Sequence, residues 1–210
     1  MNFGTWSWEQ LANGFIEKCY ELKLFNARQR TNYHNYLKKM TLIDMITFCF
    51  KKMVESGLES EIVNLLADSC KTNPLLNGKM AESYSELRRF GDYFLTTNYD
   101  LLFDPFFASD HIQYKSSILC STGNEGLLTK DTLYHIHGSI QELNSIILTH
   151  DQYLERYGNE NYRAFLSKIM TKYTVLFIGS GVEDYIRDIL RSNKRNGDTN
   201  NNFFTESVLY

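Results

Sequence analysis

Paired cysteines, long apolar runs, an excess of cationic charge and internal repeats are all missing from this chain, and each absence removes a class of protein. Its cysteines, Cys19, Cys49, Cys70 and Cys120, stand far apart, with no C-x-x-C pair and no histidine at metal-ligand spacing. That spacing excludes a four-cysteine zinc module and reads as reduced, mostly buried thiols in a cytoplasmic protein. No segment approaches the roughly 18 apolar residues of a membrane span, and the opening MNFGTWSWEQ has neither a basic n-region nor an apolar core. The expectation is a protein neither secreted nor inserted in a membrane. Formal net charge is -3, so nothing draws the chain as a whole to a phosphate backbone, and nucleic acid is a poor partner despite the local basic residues Lys38, Lys39, Lys51 and Lys52. Repeats and biased segments are absent apart from the polar stretch NKRNGDTNNN at 193–202, which reads as a loop.

What is present suits a globular α/β domain. With 210 residues, 43% hydrophobic and 14% aromatic, the chain can bury a full core as one domain. Helical periodicity runs from Trp8 to Leu24 through Leu11, Phe15, Cys19 and Leu22, with Ser7 as cap. It returns from Thr41 to Ser56, where Leu42, Met45, Ile46, Cys49, Phe50 and Met53 form one stripe, and continues over Glu59 to Ala67. A break around Asn73, Pro74, Asn77 and Gly78 precedes a short helix near Ala81 to Arg89. After residue 90 the pattern changes. Strand-like runs at Tyr93 to Thr96, Thr132 to Ile136, Ile146 to Leu148, Val175 to Ile178 and Phe203 to Tyr210 alternate with helical patterns. Those patterns lie at Leu101 to Phe107, Asp151 to Tyr157, Tyr162 to Lys172 and Val182 to Ser192. The alternation predicts a doubly wound, mostly parallel, Rossmann-like sheet with an inserted helical layer at about residues 26–90.

Three of those apolar runs end in the same way. FLTTNYDLLF stops at Thr96, Thr97, Asn98, Tyr99 and Asp100; LYHIHGS stops at His135, His137, Gly138 and Ser139; VLFIGSGVEDYIRDIL stops at Gly179, Ser180 and Gly181. Residues just past the carboxyl end of a parallel strand face the crevice where α/β sheets bind ligands. Three such endings predict adjacent or near-adjacent parallel strands around one nucleotide-type pocket.

The order TTNYD, HIHGS, ILTHDQYLERY and VLFIGSGVEDYIRDIL resembles the sirtuin-like domain of bacterial anti-phage defence proteins, a branch of the sirtuin superfamily, over nearly the whole chain. Many members of that branch hydrolyse NAD to nicotinamide and ADP-ribose. The resemblance implies NAD as substrate, no zinc, and partners limited to NAD and a homo-oligomer or defence-system protein. It places Asn98 beside the nicotinamide ribose, Asp100 near the carboxamide, and His137 as the base toward a ribose hydroxyl or the attacking water, a task that suits an imidazole. It assigns Thr97, Gly138 and the turn Gly179, Ser180 and Gly181 to cofactor contact, where a larger side chain would obstruct the backbone's approach. The superfamily's glycine-rich turn after the first strand, which cradles the pyrophosphate, is absent from the sequence. FGTWSWEQL resembles the segment that follows it, so the expectation is a single sirtuin-like domain, N-terminally truncated, that by itself binds NAD weakly or not at all and is inactive.

Each of these residues also has a structural reading. Asn98 can cap a following helix, His135 sits on the same face of an ideal strand as His137, and Gly179 and Gly181 can serve a tight strand-to-helix connection. Glu183 and Asp184 suit a helix N-terminus, and Trp6 and Trp8 read as packing residues or as cover for a ligand. Two function classes follow: an NAD hydrolase, or an inactive remnant acting as an interaction module, with NAD-dependent protein deacylation ranked below both.

Overall fold

A computed structural model describes residues 5–36, 39–71, 77–114, 128–178 and 203–204. The chain divides into two compact units, one built from residues 2–116 and 131–153 and the other from the remainder.

The first unit opens with four helices, α1 (Trp8–Glu21), α2 (Ala27–Tyr36), α3 (Leu42–Glu55) and α4 (Glu59–Ser69). Helix α1 starts where Ser7 predicts, and it starts with a full capping box. The Ser7 hydroxyl accepts from the Gln10 amide at 3.2 Å and the Gln10 side chain accepts from the Ser7 amide at 2.7 Å. Both bonds satisfy amides that have no partner within the helix. Replacing Ser7 with alanine is expected to cost about 1 kcal/mol in a urea melt; an unchanged midpoint would show that the cap is redundant.

The core of this unit is the stripe read from the sequence. Leu11, Phe15, Ile16 and Cys19 of α1 pack with Met45, Ile46, Cys49 and Met53 of α3 and with Ile62, Leu65 and Leu66 of α4. Cys19 and Cys49 are buried and Cys70 is half-buried, all three as free thiols, with Cys70 pushed up to about 11 chiefly by burial. Cys120 lies outside the described residues.

Helix α2 has no apolar stripe and buries no residue, which is why periodicity does not find it. Asn26 and Gln29 cap it reciprocally, each side chain accepting from the other's amide at 2.9 Å. On α1, Glu17 receives Arg30 and the ring of His34, and it is held below the ordinary carboxylate value first by the Arg30 hydrogen bond. The N-x-x-Q spacing was the available signal.

Helix α5 (Asn77–Leu87) leads to β1 (Tyr93–Thr96), which pairs in parallel with β3 (Thr132–His135). A short strand, β2 (Ile112–Gln113), pairs in parallel on the other side of β3, giving the order β1-β3-β2. The central strand is buried along its whole length, as a parallel strand flanked on both edges should be. Beside β1, the rings of Phe94, Phe103 and Phe107 meet edge to face, and Arg88 covers Phe107 at 4.4 Å while donating to the Phe106 carbonyl and to Asp131.

Three sequence expectations are corrected here. Leu101 to Phe107 is not a helix: it contains only the short turn Asp104–Phe106. A helix begun at Leu101 would place Pro105 in its interior, without the needed N–H, whereas a turn begun at Asp104 places it harmlessly near the start. Ile146 to Leu148 is buried but forms no strand; the Ile147 amide bonds to the His137 carbonyl at 2.9 Å, within the same unit. The third correction concerns the strand at Val175 to Ile178, which does not join the sheet of β1 and β3 among the described residues.

That strand belongs to the second unit. Strand β4 (Leu176–Phe177) pairs in parallel with β5 (Phe203–Phe204), a separate two-stranded sheet. The same unit holds α7 (Glu160–Lys172), capped by Asn159, whose side chain accepts from the Tyr162 amide at 3.0 Å. Tyr162, Phe165, Leu166, Ile169 and Met170 of α7 are buried, with Tyr157 edge-on to Tyr162 at 5.3 Å. Tyr157 ends the last full turn of α6 (His150–Gly158), the helix the motif DQYLERY predicts. The helical pattern at Val182 to Ser192 and the strand beyond Phe204 lie outside the described residues. Among the described residues, no helix is long and apolar enough to cross a membrane.

Candidate functional site

The carboxyl ends of β1 and β3 lie side by side, because the two strands are parallel and in register from Tyr93 opposite Thr132 to Thr96 opposite His135. Register alone therefore brings TTNYD and HIHGS together. The Ile136 amide adds one more bond to the Thr96 carbonyl at 2.9 Å before both chains turn away.

Past the end of β1, Asn98 is fixed through its backbone and open through its side chain. Its amide donates to the Thr96 hydroxyl at 3.1 Å, its carbonyl accepts from Nδ1 of His135 at 3.1 Å, and the residue is exposed. Thr97 beside it is half-buried. Tyr99 ties the loop down: its hydroxyl donates to the Ile147 carbonyl, its carbonyl accepts from the Ile140 amide at 3.0 Å, and its ring meets Trp8 edge to face at 6.3 Å. Trp8 thus packs against the motif itself, while Trp6 lies over Gly14 of α1.

Asp100 is half-buried, and its Oδ1 accepts from the Leu102 amide at 3.0 Å. Burial pushes its carboxyl above the ordinary value of 3.8, and the Leu102 bond and the His135 ring only partly offset this. A carboxyl whose folded value is raised favours folding only while protonated, and that contribution is lost as pH rises through the raised value. Ionised Asp100 therefore opposes folding at neutral pH. Asp100→Asn keeps the acceptor for Leu102 and removes the charge, so its urea midpoint should exceed wild type at neutral pH. The gain should shrink as pH falls through the raised value and vanish below about 3.8. Equal midpoints at neutral pH would show that the carboxylate is not a burden. A group retained at a cost to stability is a recurrent sign of a ligand site.

The two histidines of HIHGS part company. An ideal strand would put them on one face, but the ladder ends at His135, and the Gly138 amide turns back to the His135 carbonyl at 3.1 Å. His135, 1% exposed, lies between the Asn98 carbonyl and Asp104, with Nε2 3.1 Å from Asp104 Oδ1. The Tyr114 ring is 5.4 Å away, its phenol pushed up to about 12 by burial and then by the Asp104 carboxylate. His137, also 1% exposed, sits in the turn and meets Tyr153 edge to face at 5.3 Å.

Gly138 has φ +85°, and a Cβ there would stand 2.3 Å from the Ser145 carbonyl oxygen and 2.6 Å from the Ile146 nitrogen. The missing side chain makes room for the returning backbone. Gly179, Ser180 and Gly181 lie outside the described residues.

Asn98 and Asp100 therefore follow β1, just after Thr97, and His137 and Gly138 follow the neighbouring β3, with a bonded cluster formed around His135 and the Asn98 carbonyl. Asp104 and Tyr114 join the cluster without having been read from the sequence. The signal for Asp104 was weak: one carboxylate in an apolar run, LLFDPFF, where a charge needs a partner. Among the described residues, no group of histidine, cysteine and carboxylate side chains is placed to hold a metal ion.

A family model described as a SIR2-like domain matches residues 92–206, more than half of the chain, from the residue before β1 to just beyond β5. No curated protein matches the chain.

Proposed function

We propose, since the chain belongs to the SIR2-like domain family, that it hydrolyses NAD to nicotinamide and ADP-ribose, as an effector of bacterial anti-phage defence. SIR2-like domains use NAD, and the single observation that favours turnover is the setting of Asn98. Its backbone is bound on both sides while its amide side chain is open past the end of β1, beside the end of β3. A small polar group held this rigidly at a parallel-sheet crevice suits orientation of a ribose hydroxyl or a water.

In the reaction, the bond between the ribose C1′ and the nicotinamide nitrogen breaks, and nicotinamide leaves with the electron pair. Water adds its oxygen to C1′ and yields its proton to a base. Asn98 orients the ribose or the water, and Asp100 lies toward the carboxamide. His137 takes the proton, and Thr97 and Gly138 line the NAD. The leaving group is already good, so positioning and stabilisation of the oxocarbenium-like charge carry most of the work.

The burial of His137 against Tyr153 favours a second reading, a chain that keeps the fold as an interaction module without turnover. Incubating the purified chain with NAD and measuring free nicotinamide separates the two. The expected result, although the sequence alone implies an inactive chain, is release that Asn98→Ala abolishes while its urea midpoint stays within about 0.5 kcal/mol of wild type, as for an exposed residue. His137→Ala should lower the rate by about 10²–10⁴-fold, the usual contribution of a general base. No release by wild type would leave the interaction-module reading in its place.

A further inference from the structure

The geometry points to His135 as a positioning residue: clamped between the buried Asp104 carboxylate and the Asn98 carbonyl, it fixes the loop that presents the Asn98 side chain. The inference rests on the proposed role of Asn98 in NAD hydrolysis. It concerns the other histidine of the HIHGS motif, the one to which that reading gives no part.

Three observations carry it. His135 closes both of its ring contacts within 3.1 Å, one to the strand-end loop and one to Asp104, and it is 1% exposed. Each contact sets a ring nitrogen against an oxygen, one on either side of the ring. That arrangement holds the ring in one orientation. Asp104 is itself buried, and its second oxygen, Oδ2, makes no hydrogen bond. A buried pair of this kind with an orphaned oxygen is poor value as a stabiliser, since apolar side chains of similar volume commonly serve as well or better. Lastly, the Asn98 amide is bonded to Thr96, so the His135 bond completes the restraint on both backbone polar groups of the residue whose side chain is open. Rigid backbone with an exposed functional group is the pattern expected where a reacting group must be held to within a fraction of an ångström.

The charged and titratable groups around the ring are Asp100 and Asp104 from the loop after β1 and Tyr114 from the end of β2. Asp104→Asn keeps an acceptor for Nε2 without the charge, Asp104→Leu removes it, and His135→Phe removes both bonds while filling the space. The test uses the full chain, with NAD turnover split into kcat and KM and with amide hydrogen exchange followed across residues 97–100. His135→Phe and Asp104→Leu should lower kcat by about 10²-fold, the scale of a small misplacement, with KM within about threefold of wild type. Asp104→Asn should recover most of that loss. Exchange should quicken in the loop but not in β1 or β3. A kcat within twofold of wild type in folded His135→Phe would overturn the assignment; if that variant does not fold, wild-type kcat in Asp104→Leu would do so. Should wild type release no nicotinamide, the hydrolase reading fails separately. The exchange data then decide the clamp: quickened exchange at 97–100 upholds it, and unchanged exchange overturns it.

Discussion

Gly138→Ala should destabilise the chain by more than any other single methyl group added to the site. At φ +85° an alanine pays about 1–3 kcal/mol for an unfavourable backbone conformation alone. The new Cβ would also stand 2.3 Å from the Ser145 carbonyl oxygen, 2.4 Å from its carbon and 2.6 Å from the Ile146 nitrogen. These are backbone atoms, so no rotamer change relieves them. Either the turn after β3 must open or residues 143–146 must move, and the second route pulls Ile146 out of the helical core. Against a typical total stability of about 5–15 kcal/mol, the combined loss should exceed about 3 kcal/mol and leave little soluble protein. Gly57→Ala supplies the control: φ there is +69° with nothing within 4 Å of the added carbon, so only the conformational cost applies. Urea denaturation of both variants checks the claim, and a Gly138→Ala midpoint close to that of Gly57→Ala would refute it. Loss of activity in Gly138→Ala would consequently say nothing about NAD contact.

Phe15→Ala is the second large effect. Phe15 is fully buried at the centre of α1, in the cluster that joins α1, α3 and α4, and truncating a buried phenylalanine costs about 3–5 kcal/mol through lost transfer energy and the cavity left behind. The site should feel this directly. Ile146 and Leu148, which follow the turn of His137 and Gly138, belong to the same cluster as Phe15. The helices and the strand-end loops of this unit should therefore unfold together, with the urea midpoint falling sharply and its slope nearly constant. Phe48→Ala, on the same helical layer but 41% exposed, should shift the midpoint by less than about 1 kcal/mol. A normal midpoint in Phe15→Ala would show that the cluster does not hold the unit together, and two separate transitions would show that the site folds apart from the helices.

How much of this was legible in the sequence depended on whether a local rule governed it. Helices α1 and α3 carry apolar stripes with a capping residue in front, so burial and capping agree and the sequence marks their starts to within a residue, although α1 ends three residues before Leu24. Helix α2 has only the cap and a polar network to α1, and periodicity passes over it. Strands β1 and β3 were readable because each is a short apolar run ending in hydrogen-bonding residues, and parallel pairing of such runs puts those residues at one edge. The two residues of β2 carry no such signal, since a strand that short is defined by its partner.

By itself, the sequence determined that the chain is an α/β protein and that TTNYD and HIHGS end strands, because apolar period and residue spacing are local quantities. Only the tertiary structure decided which strands share a sheet, so that among the described residues Leu176–Phe177 pairs with Phe203–Phe204. It also decided the separate fates of His135 and His137, two residues apart. One is the last rung of a ladder facing Asn98 and Asp104; the other is in a turn bent by a positive-φ glycine toward Tyr153. Side-chain direction at the end of a strand depends on where pairing stops. Pairing stops at His135, and in the turn that follows the returning backbone at Ser145 and Ile146 lies against Gly138, a contact between residues brought together by the fold.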